Sequence, residues 1–68
     1  MDPNIFAGQW KELKGKVKLQ WGRLTDDDLK QIDGKKDMLI GAIQKRYGYT
    51  IDQTKKTVDD WLSRVTTH

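Results

Sequence analysis

Three consecutive carboxylates, Asp26, Asp27 and Asp28 in the stretch WGRLTDDDL, form the densest chemistry-bearing group in the chain. Such a group can hold a cation, move protons or begin a helix. Consecutive helical residues point in different directions, so three in a row do not converge as metal ligands without unusual backbone geometry. They also lack the alternating ligands, central glycine and terminal glutamate of a calcium loop. A helix start with solvated charge is the favoured reading, with weak cation association behind it. Nucleophilic catalysis is no better served, because Ser63 and His68 lie in the final turn and tail and no carboxylate is arranged with them. The chain has no cysteine, hence neither a thiolate nor a disulfide framework. Its glycines never form a phosphate-cradling loop with a lysine and hydroxyl partner. No catalytic, cofactor-binding or metal-binding residue is therefore assigned, and an enzyme is not expected.

The basic residues are the remaining chemical candidates. Lys11, Lys14, Lys16, Lys18, Arg23, Lys35 and Lys36 could meet a phosphate backbone if helical hairpins present their turns to it. Asp26 to Asp28 and Asp33 set negative charge around the same connections, and no arginine and asparagine reading face is evident. The stretch QIDGKKD, residues 31–37, reads foremost as an ordinary inter-helix turn. The net charge is only +3 at pH 7, enough for solubility but too little to identify a nucleic-acid binder.

Elements that position these groups follow from the apolar spacing. Asn4 can cap a first helix on which Phe6, Trp10, Leu13, Val17 and Trp21 recur at steps of three and four, with Pro3 ahead of it. Gly22 is the expected break, in a left-handed conformation after the last turn. Thr25 then explains the aspartates: its hydroxyl can accept a free amide of a new helix, and the exposed N–H groups of a first turn favour negative charge. Asp28 stands where a capping box usually has Glu or Gln, while Leu24 and Leu29 can meet across the start. This short helix is expected to end near Ile32 or Asp33, before Gly34. A third helix over residues 35–47 presents Leu39, Ile43 and Tyr47, flanked by Met38 and Ile40, and closes at Gly48. Thr50 caps the last helix with Gln53 as its capping-box partner, and Ile51, Val58, Trp61, Leu62 and Val65 supply the buried face.

The sequence LKGKVKLQWG, residues 13–22, aligns without gaps with LIGAIQKRYG, residues 39–48, and each copy is followed by a threonine-capped acidic start. The pattern predicts an all-α domain of four or five short helices, arranged as two hairpins that share a core because neither can bury its apolar face alone. Gly15 and Gly41, at matching positions inside the long helices, each cost about 1 kcal/mol relative to alanine. Close helix crossing is the favoured explanation, ahead of simple tolerance or a hinge. Trp10, Trp21, Tyr47 and Trp61 fall in apolar registers and are expected in the core, whereas Tyr49 is the least constrained aromatic.

At 68 residues the chain is expected to be a single domain, 1–68, with flexible termini at 1–4 and 66–68. Hydrophobic residues make up only 35%, but three tryptophans and a regular apolar pattern argue against disorder. An enclosed cleft is not expected at this size. No stretch approaches the roughly 20 apolar residues of a membrane span and no basic segment precedes an apolar run, so a cytoplasmic protein without stable membrane insertion is expected.

The combined pattern of GKVK, WGRLTDDD, GKKDMLIGAIQKRYG and VDDW resembles the CsbD-like family of small bacterial stress-response proteins. The match falls on Trp10, Gly15, Lys16, Trp21, Gly22, Leu24, Thr25, Asp26, Asp27, Asp28, Gly34, Lys35, Leu39, Gly41, Tyr47, Gly48 and Trp61. The resemblance implies hairpins packed roughly orthogonally in a SAM-domain-like arrangement, and an association with general stress. It implies no catalytic residue and no cofactor. The functional expectation is a nonenzymatic stress-associated protein, acting through an unidentified protein partner, with weak salt-sensitive nucleic-acid binding as the alternative. The sequence does not specify an oligomeric state.

Overall fold

The computed structural model describes residues 3–66, all of whose regular structure is helical. Five helices follow one another: α1 (Pro3–Gly8), α2 (Trp10–Gln20), α3 (Asp26–Ile32), α4 (Lys36–Tyr47) and α5 (Ile51–Thr66). Helix α4 occupies the middle and packs against α3, α5 and α1. The apolar stripes meet in one core containing Phe6, Leu13, Val17, Leu39, Ile43, Val58 and Leu62, each at most 2% exposed. Trp10, Trp21 and Trp61 join it, with the Trp21 and Trp61 rings edge to face and 4.9 Å between centroids. Of the ends expected to be flexible, 1–4 and 66–68, residues 1, 2, 67 and 68, the last being His68, lie outside the described residues.

The long first helix expected from residue spacing is two helices. The chain bends at Gln9 (φ −102°, ψ 4°), whose carbonyl accepts the N–H groups of Glu12 and Leu13 to open α2. Pro3 is the first residue of α1, where a missing N–H costs little, so the helix begins one residue ahead of Asn4, the expected cap position. The bend lets Phe6 reach full burial beside α4 and lean on Trp10, ring centroids 5.6 Å apart. A straight helix would carry both rings along a single stripe of α2.

The glycines also depart from expectation. A Cβ placed on Gly15 or Gly41 would meet nothing within 4 Å, and both residues are exposed, so no helix crosses closely at either. The close approach is at Gly34, where an added Cβ would stand 3.2 Å from the Ala7 Cα as α1 rests on the α3–α4 turn. Gly34 also has φ +78°, and Asp33 before it is left-handed at φ 42°. Gly22 is not in the left-handed region: α2 ends on Trp21 (φ −122°, ψ 77°), whose carbonyl accepts the Leu24 N–H to form a turn. Gly48, by contrast, closes α4 at φ 73°.

Both capping boxes form. Thr25 Oγ1 accepts the Asp28 N–H at 3.1 Å while the Asp28 carboxylate accepts the Thr25 N–H at 3.0 Å. Thr50 and Gln53 exchange the same pair of bonds at 3.2 and 3.1 Å. On α5 the buried stripe begins at Thr54, not at Ile51, which is 50% exposed. Thr54 is fully buried because its hydroxyl donates to the Thr50 carbonyl at 2.8 Å, which satisfies the polar atom inside the helix.

Candidate functional site

The three aspartates separate in space, as their helical spacing requires. Asp28 turns inward and takes a two-pronged contact from Arg46 of α4, with Nε donating to Oδ2 at 2.8 Å and Nη2 to Oδ1 at 3.2 Å. Arg46 and the Thr25 N–H hold the Asp28 carboxyl down to a pKa of about 2, against the opposing effect of burial. Asp26 pairs with Lys18 at 3.1 Å, and Asp27 is exposed. The group is therefore a helix start clamped to α4. Among the described residues, no three His, Cys, Asp or Glu side chains gather where they could hold a metal ion.

The seven basic candidates do not form one face. Lys18 is bound to Asp26 and Lys36 to Asp59 on α5. Arg23 lies with its guanidinium carbon 5.3 Å from the centre of the Tyr47 ring, and its backbone N–H donates to the Tyr47 hydroxyl at 3.3 Å. Lys35 is exposed at the start of α4. Lys11 and Lys14 are exposed on the Lys18 side of α2, whereas Lys16 stands one turn ahead of Gln20 on roughly the other side.

A different site is built where the ends of α2 and α4 meet α5. An open cleft of about 380 Å³ is lined by Gln20, Trp21, Tyr47, Tyr49, Gln53 and Thr57. Its volume lies at the lower end of the range for pockets that take small ligands or single side chains. Trp21 forms part of the wall and remains 97% buried against Trp61, so the wall is held by the core. Tyr47 is half-buried, and Tyr49, 41% exposed, stacks on it with centroids 5.5 Å apart and planes inclined by 22°. Among the described residues no carboxylate lines the cleft, and the Arg23 cation sits against one of its rings. Nucleophile, acid and base are not assembled there; shape, aromatic surface and one cation are.

Sequence reasoning placed Trp21 and Tyr47 in the core and left Tyr49 open, and so did not find the cleft. The available signal was the YGY triplet, residues 47–49. A left-handed glycine between two aromatics reverses the chain and can bring their rings together.

Residues 4–56 match the CsbD-like family. The chain is also 56% identical over 64 residues to UPF0337 protein YjbJ of Escherichia coli K12, covering 94% of this chain and 93% of that one. The chain belongs to the CsbD-like family. YjbJ of Salmonella typhimurium is 55% identical over 64 residues, covering 94% of this chain and 91% of its own length. UPF0337 protein RPA4217 of Rhodopseudomonas palustris is 56% identical over 63 residues, covering 93% and 96% respectively. Membership of this family supports a general role in the bacterial stress response. Among the described residues of the CsbD-like chain, no helix is long and apolar enough to cross a membrane.

Proposed function

We propose that the protein works in the stress response as an interaction module, with the cleft between α2, α4 and α5 receiving a segment of a partner protein. The observation that carries this reading is the composition of the cleft and its rim. Tryptophan, tyrosine and arginine are the residue types that dominate the energetics of protein interfaces, and Tyr47, Tyr49 and Arg23 stand together here over the buried Trp21. Rigid rings lose little conformational freedom on binding, and the core already fixes Trp21. The nucleic-acid reading is less well supported. Its cations are divided among separate faces, and two of them, Lys18 and Lys36, are tied to carboxylates.

The test fills the cleft without touching the core. Thr57→Trp and Gln20→Trp place a large uncharged side chain in the opening, and thermal melting checks that each variant folds as the native chain does. Cells that lack the native protein and carry either variant are expected to survive stress as poorly as cells with none. Full restoration of survival by both folded variants would show that the cleft is not the working surface. Titration with DNA and RNA at low and physiological salt decides the other reading, since phosphate-driven binding falls steeply with salt.

A further inference from the structure

The Arg23 guanidinium lies over the Tyr47 ring, and no carboxylate among the described residues pairs with it. A cation held on an aromatic face keeps its in-plane N–H donors free to meet an anion. The remaining polar groups of the wall, Gln20, Gln53 and Thr57, are neutral. One turn before Gln20, exposed Lys16 adds a second positive charge on the α2 side. The cleft wall is thus aromatic and neutral-polar, with no carboxylate among the described residues lining it and the Arg23 cation against one of its rings.

We propose that its occupant is an acidic protein segment whose carboxylates flank a ring-bearing side chain. The ring packs against the stacked Tyr47 and Tyr49 above the edge of Trp21, and a neighbouring carboxylate meets Arg23. This rests on the docking function proposed above and adds the partner's chemistry to it. The volume of about 380 Å³ accommodates one such side chain together with the backbone that carries it. A single-stranded nucleic acid could also stack a base on the tyrosines, but it needs a cationic track for its backbone beside the stacking site. Lys11, Lys14 and Lys18 lie on roughly the opposite side of α2 from Gln20, so that track leads away from the cleft.

The isotope-labelled full chain is titrated with three blocked pentapeptides and with oligothymidylate while its amide signals are followed. One peptide has phenylalanine between pairs of glutamates, the second replaces the glutamates by lysines, and the third replaces phenylalanine by alanine. The acidic phenylalanine peptide is expected to move the side-chain amides of Gln20 and Gln53 and the backbone amide of Tyr49, and to bind at least fivefold more tightly than either control, on the order of magnitude of one anchoring contact. Arg23→Gln should weaken that binding about fivefold and flatten its salt dependence, as expected for a rim charge. Tyr49→Ala should weaken it about tenfold, the loss of a contact residue at an anchor. Both positions are exposed, and melting curves verify the fold. Equal binding by the lysine peptide, stronger binding by oligothymidylate at the same amides, or no shift with the acidic peptide would overturn the proposal. Binding of phenylalanine peptides regardless of charge overturns the acidic assignment alone, whereas stress survival with a filled cleft overturns docking itself.

Discussion

Helices α2 and α4 carry the same ten-residue pattern, yet they occupy different places and end differently. Leu13 and Leu39 are buried at matching positions, as are Val17 and Ile43, and Gly15 and Gly41 both face open space. The copies diverge at their last aromatic. Trp21 points into the core and ends its helix there, leaving Gly22 outside the left-handed region. Tyr47 stays on a helix that closes one residue later at left-handed Gly48, and its ring forms part of the cleft wall. An identical local signal thus specifies a helix and its inner face, while packing around the end decides how the chain leaves. Central α4 has neighbours on several sides and uses glycine to turn between them, whereas α2 is ended by an indole anchored against α5.

This contrast can be broken most forcefully at its aromatic pair. Trp21→Ala removes a large buried ring and should cost about 3–5 kcal/mol, enough to unfold much of so small a domain. Tyr47→Ala removes a half-exposed ring and should cost well under half of that, measured by urea unfolding of both variants. Comparable losses would contradict the different burial of the two copies.

The glycines sharpen the comparison. Gly48→Ala forces a side chain into left-handed geometry and should destabilise by about 1–2 kcal/mol. Gly22→Ala, with no positive φ and free space around its Cβ, should remain within about 0.5 kcal/mol of the native chain. Gly15→Ala and Gly41→Ala should each stabilise by up to about 1 kcal/mol, because alanine favours a helix and nothing obstructs it. A domain of this size converts that gain into a rise of about 4–8 °C in Tm. A fall at either position would reveal a constraint on the backbone that the open space does not explain.

The ion pair behind the comparison is read through pH. The Asp28 carboxyl is held at about 2, below the roughly 3.9 of an unfolded aspartate, so its contribution to stability is fully present above the latter value. That contribution is lost as pH falls from about 4 towards 2. Arg46→Gln should therefore lower stability at neutral pH and narrow its difference from the native chain through this window. A difference that stayed constant between pH 5 and 2 would remove Asp28 as the group responsible.

What could be read from residue order is local. Thr25 and Thr50 announce their helices because each cap and its partner lie three residues apart, and Gly48 announces an ending for similar reasons. The core stripe of α2 and α4 follows from helical spacing alone. The bend at Gln9 was hidden because the apolar steps from Phe6 to Trp10 continue across it. Asp28 meeting Arg46 couples residues 18 apart, and the cleft collects side chains from the ends of α2 and α4, the α4–α5 turn and α5. Only tertiary packing brings such groups together. Thr54, polar by type, gives no apolar signal in the sequence, yet it begins the stripe that continues through Val58, Trp61 and Leu62.

The unobstructed glycines lend the molecule to spectroscopy. Since the chain has no cysteine, Gly15→Cys and Gly41→Cys would supply thiols that are unique, outward-facing and free of neighbours at their Cβ positions. Spin labels or fluorophores attached there would turn α2 and α4 into the two arms of a molecular caliper. Their separation could then be followed as the domain melts or a partner arrives.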